Sequence, residues 1–317
     1  MGFTIGVASD DRELQRWASA WVGDMRLDPP APVGLALRVL PDLPADDEDA
    51  RVPFAQPQLE IRSGPPQNDV RVRWLAAPAR ATIASGAGTA RVDLTAAALA
   101  DREPLGQVFL SMVLILLLRR AGWHHVHAAL ARDPRGRDWL FAGNAQSGKS
   151  TTAALLAMRG WAVGSDDAAF LTRGDPGGGR GVEAVAPHTR IALRPAGCEL
   201  LGLTDRGGAS ARGGRKTAFF PEELGGTWTP RIEPRLLVFP RVMEAGRGGG
   251  ARTTAEPLPR REALAELVRW SAWVVLEPDL AQEHLDLLNA LARQASCYRV
   301  ALAPDLFGGA DLMDLVP

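Results

Sequence analysis

The sequence predicts an α/β protein: a smaller β-rich N-terminal domain over residues 1–121 and a larger domain over residues 122–317 in which strands and helices alternate. Three observations carry this reading. Short runs alternating apolar and polar residues, separated by turn residues, fill the first third of the chain. From Trp123 onward strand-like and helix-like segments take turns, the pattern of an α/β core. Within that part an apolar strand, a glycine-rich loop and a helical run follow one another directly between Asp138 and Gly160.

Taken in order, residues 11–22 (DRELQRWASAWV) predict a short helix with Leu14, Trp17 and Trp21 on one face. Strands follow at VGLALRVL from Val33, LEIR from Leu59, VRVRWLA from Val70, ATIAS from Ala81 and ARVDL from Ala90. Their alternation is that of a half-buried antiparallel sheet. Gly86-Ala87-Gly88 reads as a hairpin loop, and the acidic, proline-bearing LPADDEDARVPFAQPQ as a mobile loop. An apolar run too long for a strand predicts one helix from about Arg102 to Ala121, buried between the two halves.

In the second part, WHHVHAALA and DWLFAG read as strands and GKSTTAALLAMRG as a helix stopped by Gly160. WAVGSDD, AAFLTR, PRLLVFP and CYRVALA are further strands. REALAELVRWSAWVV and AQEHLDLLNALARQA are helices. DPGGGRG and EAGRGGGAR are read as flexible glycine-rich connections.

Composition narrows the function classes. Hydrophobic residues make up 46% of the 317 and charged residues 23%, enough for a sizeable core. Thirty-six basic residues against 37 acidic ones give a net charge of -1, so nucleic acid and anionic membranes are not expected partners. The apolar run VFLSMVLILLL is shorter than the roughly 20 residues that span a bilayer, and the N-terminus has no secretory pattern. Two cysteines, Cys198 and Cys297, build neither a disulfide framework nor a zinc site by themselves. The expectation is a cytoplasmic protein. Lys149 and Lys216 are the only lysines, so arginine serves wherever either cation will do, and a retained lysine marks a place where the wide guanidinium does not fit.

The chemistry concentrates at Gly143-Asn144-Ala145-Gln146-Ser147-Gly148-Lys149-Ser150, which matches G-x-x-x-x-G-K-[ST]. Glycines let backbone N–H groups curl around a phosphate, and the helix that follows, with Thr151 in its first turn, adds its positive end. Lys149 reaches the β- and γ-phosphates and the Ser150 hydroxyl is placed to ligate Mg²⁺. Lys149 is expected to face solvent until phosphate binds. Asp166-Asp167 ends the next strand, where one carboxylate can hold Mg²⁺ and the other take a proton from an attacking hydroxyl. Alternation along HHVHAALA sets His125 and His127 on one face and His124 on the other. Lys216, in the loop GGRKTAFFPEE with Arg215, is a candidate to close over a triphosphate; Arg190 and Arg194 are candidates for a phosphate or an acidic substrate.

Residues 127–172, from His127 through the glycine loop, Arg159-Gly160 and Asp166-Asp167, resemble the catalytic core of the HPr kinase/phosphorylase family and its relatives, among them lasso-peptide tailoring kinases. The resemblance implies a P-loop core akin to that of phosphoenolpyruvate carboxykinases. It also implies transfer of the γ-phosphoryl group of ATP, with Mg²⁺, to a serine or threonine hydroxyl of a protein or peptide. By the same resemblance Asp166 is the base, Asp167 and Ser150 contact Mg²⁺, and His127 assists the carboxylates. The Glu-Arg-Gly signature of true HPr kinases is absent, the region reading VEAVAPHTRIALRPAG, so HPr itself and phosphorolysis are not implied. A non-catalytic nucleotide-binding partner in a biosynthetic complex and a small-molecule kinase are the alternatives, and a homo-oligomer is compatible with each.

Overall fold

A computed structural model of the chain describes residues 5–23, 25, 31–43, 51–64, 69–174, 181–204, 209–211, 216–243, 251–271 and 277–316. Both glycine-rich connections lie mostly outside these residues, as do Arg215, residues 44–50 of the acidic stretch and the end of REALAELVRWSAWVV. The fold is mixed α/β. It divides into two compact units, Met1–His124 with Val275–Ala281, and His125–Val274 with Gln282–Pro317. Among the described residues no helix is long and apolar enough to cross a membrane.

The first unit is built on β1 (Gly6–Ser9), β2 (Gly34–Val39), β3 (Arg51–Gln56), β4 (Leu59–Gly64), β5 (Asp69–Trp74), β6 (Ala79–Ile83) and β7 (Thr89–Leu94). They lie side by side as β1-β2-β7-β6-β5-β4-β3. From β7 to β3 every neighbour is antiparallel, but β2 runs parallel to both β1 and β7. The sheet is therefore mixed, not antiparallel throughout, because alternation reports a half-buried strand and not the direction of its partner. The stretch read as a mobile loop contains β3. Its Pro53 falls where the register on β4 shifts, at the sheet edge, a place that tolerates a residue with no N–H.

Helix α1 (Arg12–Gly23) opens with the Asp11 carboxylate accepting from the amides of Glu13 and Leu14. Its buried face is Leu14, Ala18 and Val22, whereas Trp17 and Trp21 are half-buried. After the short α2 (Ala96–Leu99), the expected single helix is a composite: α3 (Arg102–Pro104), a π turn over Leu105–Leu110, and α4 (Ser111–Arg120). It belongs to the first unit. The wide turn coincides with a close approach, since a Cβ on Gly106 would sit 3.0 Å from the Trp21 indole nitrogen. From α4, Arg119 and Arg120 reach Glu277, Arg120 at 2.8 Å.

The second unit begins with β8 (His124–Val126) and β9 (Ala128–Arg132), so the expected strand WHHVHAALA is broken at His127. β8 joins one sheet and β9 another. Next come β10 (Asp138–Ala142), α5 (Lys149–Met158), β11 (Ala162–Ser165), β12 (Ala169–Arg173), β13 (Val182–Val185), β14 (Ile191–Leu193), α6 (Pro195–Leu200), β15 (Ala209–Ala211) and β16 (Lys216–Phe219). The chain ends with β17 (Thr227–Trp228), β18 (Arg231–Ile232), β19 (Leu236–Val242), β20 (Thr254–Pro257), α7 (Arg260–Arg269), α8 (Pro278–Gln294), β21 (Ser296–Leu302) and α9 (Leu312–Leu315). Helix α7 ends at Arg269, six residues before the end of the expected run, with Trp270 and Ser271 bonding back to its last carbonyls.

The main sheet of this unit has the order β17-β11-β9-β10-β19-β21-β20, with β10, β19 and β21 parallel and β9 antiparallel between β10 and β11. A four-stranded sheet, β18-β13-β12-β8, and a three-stranded one, β14-β16-β15, complete it. Trp139 stacks on Phe141 and tilts against Trp161, beneath the apolar face of α5. The helix is buried along most of its length, which accounts for its run of Ala and Leu.

Candidate active site

Strand β10 delivers the chain to Gly143, and α5 starts at Lys149; the loop between them makes the turn with two residues in left-handed backbone. Gly148 has φ +96°, and a Cβ there would lie 2.7 Å from Leu302 Cδ1 at the end of β21. Gln146, at φ 71°, has positive φ without being glycine, and among the described residues it is alone in this. Asn144, Ala145 and Gln146 are exposed, whereas Ser147 is buried under Gly143.

Lys149 does not face solvent as the sequence led us to expect. It is 4% exposed, and its ammonium donates to the carbonyls of Gly143 at 2.8 Å and Asn144 at 2.7 Å. The loop thus curls around its own lysine. Burial lowers the Lys149 pKa to about 8, against the pull of Asp167 and Asp166 and with help from the nearby charge of Lys216.

A cleft of 340 Å³ opens over the loop, beyond the C-terminal end of β19. Ala145, Gln146, Gly148, Lys149, Ser150 and Thr151 line it from the loop and α5. His127, Asp167, Arg194 and Lys216 line it from other elements. Gly143, Asn144 and Ser147 form the back of the loop and do not line the cleft. Lys216 begins strand β16, paired with β14 and β15, so its position is held by a sheet and not by an open loop. Arg190, by contrast, lies over the Phe220 ring at 5.1 Å and is absent from the cleft lining.

The two aspartates follow β11 and differ sharply. Asp166 is fully buried; its Oδ2 accepts from the Ala192 amide of β14 at 3.3 Å, and its Oδ1 has no hydrogen-bond partner. Burial raises its pKa and the Asp167 charge adds to this, while His188, the Ser150 hydroxyl bonded to it and Lys216 act the other way. Asp167 is half-buried and faces the cleft. His127, at the break between β8 and β9, has Nδ1 2.5 Å from the backbone carbonyl of Asp167. A carbonyl only accepts, so Nδ1 carries a proton in this contact, and Nε2 is the other nitrogen the ring offers. His125 packs edge-on against Phe170, its pKa lowered to about 4 by burial and by His127. His124 is fully buried.

Sequence reasoning missed His188. It lies between β13 and β14 with Nε2 3.5 Å from Asp167 Oδ1. One atom each from Asp166, Asp167 and His188 lie within 4.8 Å of one another, a grouping able to hold a metal ion. The signal was thin: a histidine 21 residues beyond Asp167, with no local spacing to tie it to the pair.

No protein-family model and no curated protein matches the sequence. Among solved structures, the chain is similar to the HPr(Ser) kinase/phosphatase from Coxiella burnetii, at a TM-score of 0.27 and 13% identity over 43% of this chain and 71% of that one.

Proposed function

We propose that the protein transfers the γ-phosphoryl group of ATP to a serine or threonine hydroxyl of a protein or peptide. The observation that carries this reading is the meeting of Lys149, Ser150, His127, Asp167 and Lys216 on one cleft, with Asp166 buried against Ser150. Two cations for a triphosphate and a carboxylate for the acceptor are what positioning and charge stabilisation of a phosphoryl group require.

The residues suit a magnesium nucleotide. The orphaned Asp166 Oδ1 is a hard oxygen donor that burial disfavours as an anion, a state that a divalent ion would stabilise. Asp166 and Ser150 would hold Mg²⁺, which when bound neutralises phosphate charge. This reverses the roles the resemblance implied for the aspartates. Asp166 is too deeply buried to meet an acceptor hydroxyl, whereas Asp167 lines the cleft. In our reading Asp167 therefore takes the acceptor proton as the hydroxyl oxygen bonds to the γ-phosphorus and ADP departs with the bridging oxygen. His127 holds the Asp167 backbone through its carbonyl. Lys149 gives up the Gly143 and Asn144 carbonyls to the phosphates, and Lys216 supplies charge from the opposite wall.

The test is incubation with labelled ATP, Mg²⁺ and a panel of serine- and threonine-bearing peptides. We expect label on a hydroxyl, and Asp167→Asn lowering kcat with little change in ATP affinity. ATP binding in the calorimeter with no transfer to any peptide, in a panel where a small-molecule acceptor takes the label instead, sinks the reading.

A further inference from the structure

We propose that His188 is a ligand, with Asp166 and one oxygen of Asp167, of the divalent cation beside this cleft, that its nitrogen makes the site prefer Mn²⁺ to Mg²⁺, and that the second Asp167 oxygen is left for the acceptor proton. The inference deepens the reading above and rests on it only in taking this cation to be the one that accompanies the phosphoryl donor.

The geometry is specific. His188 Nε2 already lies 3.5 Å from Asp167 Oδ1, and an oxygen from each aspartate and a ring nitrogen fall within a 4.8 Å sphere of mutual distance. Donors on one ion at about 2.1 Å are roughly 3 to 4.2 Å apart, so the three need to draw in by a small side-chain rotation. Asp167 and His188, 12% and 31% exposed, have room to make it. Asp166 is the fixed member, bonded by the Ala192 amide, with Oδ1 left as a buried oxygen without a hydrogen bond. His188 rides on a segment pinned at both ends, by the Ala186 amide on the Pro230 carbonyl and by the pairing of Ile191 with Phe219. An imidazole in this position is not needed for a magnesium site, which is served by carboxylate, hydroxyl and water oxygens. Imidazole strengthens binding of first-row transition ions far more than of Mg²⁺, and among those ions Mn²⁺ is the one that shares the suitability of Mg²⁺ for carboxylate and water oxygens.

The test uses the full chain and Mn²⁺ alone, without nucleotide. Free Mn²⁺ is counted by electron paramagnetic resonance, Mg²⁺ competition gives the preference, and spin-echo modulation reports ¹⁴N bound to the ion. We expect one bound Mn²⁺ with nitrogen modulation, lost in His188→Gln and retained in His127→Gln, and a fall of about 10-fold or more in the Mn²⁺:Mg²⁺ preference of His188→Gln. Thermal melting of His188→Gln, unchanged from wild type, separates ligand loss from misfolding. No bound Mn²⁺, no nitrogen modulation in the wild type, or modulation that survives His188→Gln overturns the proposal. Mn²⁺ bound through His188 in a protein that phosphorylates no peptide removes the kinase reading and leaves this one standing. Phosphotransfer with an unaltered metal preference in His188→Gln does the reverse.

Discussion

Removing the Asp133 carboxylate should destabilise the hairpin that feeds the candidate site. Asp133 lies in the turn between β9 and β10 and its side chain is fully buried. Oδ1 accepts from the amides of Arg135 at 2.9 Å and Arg137 at 2.8 Å; Oδ2 accepts from Arg137 Nε at 2.8 Å and Trp139 Nε1 at 3.0 Å. In Asp133→Ala the arginine donors turn to water, but Trp139 is fully buried and its N–H is stranded. A stranded buried donor costs about 1–3 kcal/mol and the lost turn bonds about 1 more, so we expect a total of about 3 kcal/mol. Asp133→Asn keeps one acceptor oxygen and should lose about half as much.

The pH dependence has a definite sign. Burial pushes the Asp133 carboxyl up, but the Arg137 amide, the Arg137 guanidinium and the Trp139 indole outweigh it, and the net pKa lies below 3.8. A carboxylate with a depressed folded pKa contributes stability that is present above the unfolded value and is lost as pH falls through the folded one. The gap between wild type and Asp133→Asn should thus be flat from about pH 5 to 8 and close below 3.8. Hydrogen exchange of peptides covering residues 128–142, across a urea series, reads this hairpin without assuming that both units unfold together. A loss under about 1 kcal/mol for Asp133→Ala, or a gap that widens as pH falls below 3.8, refutes the reasoning.

Three further outcomes follow from the site. Gly148→Ala forces an alanine to φ +96° with Cβ 2.7 Å from Leu302 Cδ1, so it should cost about 1–2 kcal/mol in a thermal melt and weaken ATP binding in calorimetry at least tenfold; an unchanged melt and affinity count against the loop geometry. Asp166→Asn removes a buried charge that the fold disfavours, so the metal-free protein should melt about 2–4 °C higher while phosphotransfer disappears, and a lower melting temperature contradicts the burial argument. Lys216→Arg should lower kcat at saturating ATP by up to about 100-fold, because a guanidinium in place of an ammonium displaces the phosphoryl group by about 1 Å. Wild-type turnover in both Lys216→Arg and Lys216→Ala would make that lysine a bystander.

Much of this was legible in the residues, and the failures share a cause. The loop and α5 could be read because their requirement is local: Gly148 at positive φ and an Ala/Leu run after Lys149 suffice. The hairpin meander from β4 to β7 could be read for the same reason, each strand pairing with its sequence neighbour. What escaped depends on distant partners. The direction of β2 is decided by β7, and the break at His127 by two separate sheets that claim β8 and β9. Lys149 is buried by carbonyls of its own loop once the backbone has turned, which no spacing rule conveys. His188 joins the aspartates only because β14 runs beside them, its Ala192 amide bonded to Asp166. The acidic, proline-bearing stretch read as a loop holds β3, because a sheet edge tolerates a residue without an N–H at Pro53.

The parallel seam of β2 on β7 also sets an order of events during synthesis. Arg38 and its partner Asp93 are 55 residues apart. At about 5–20 residues per second, β2 leaves the ribosome roughly 3 to 11 s before the strand it must close on. Neighbouring strands from β4 to β7 need only short turns to pair, and local contacts form soonest. During that interval GLALRV is an apolar strand with the edge that β7 will cover still open, the kind of segment that nascent-chain chaperones hold. Assembly in this unit therefore runs against chain order: the meander comes first, and the earliest strands made are the last to dock.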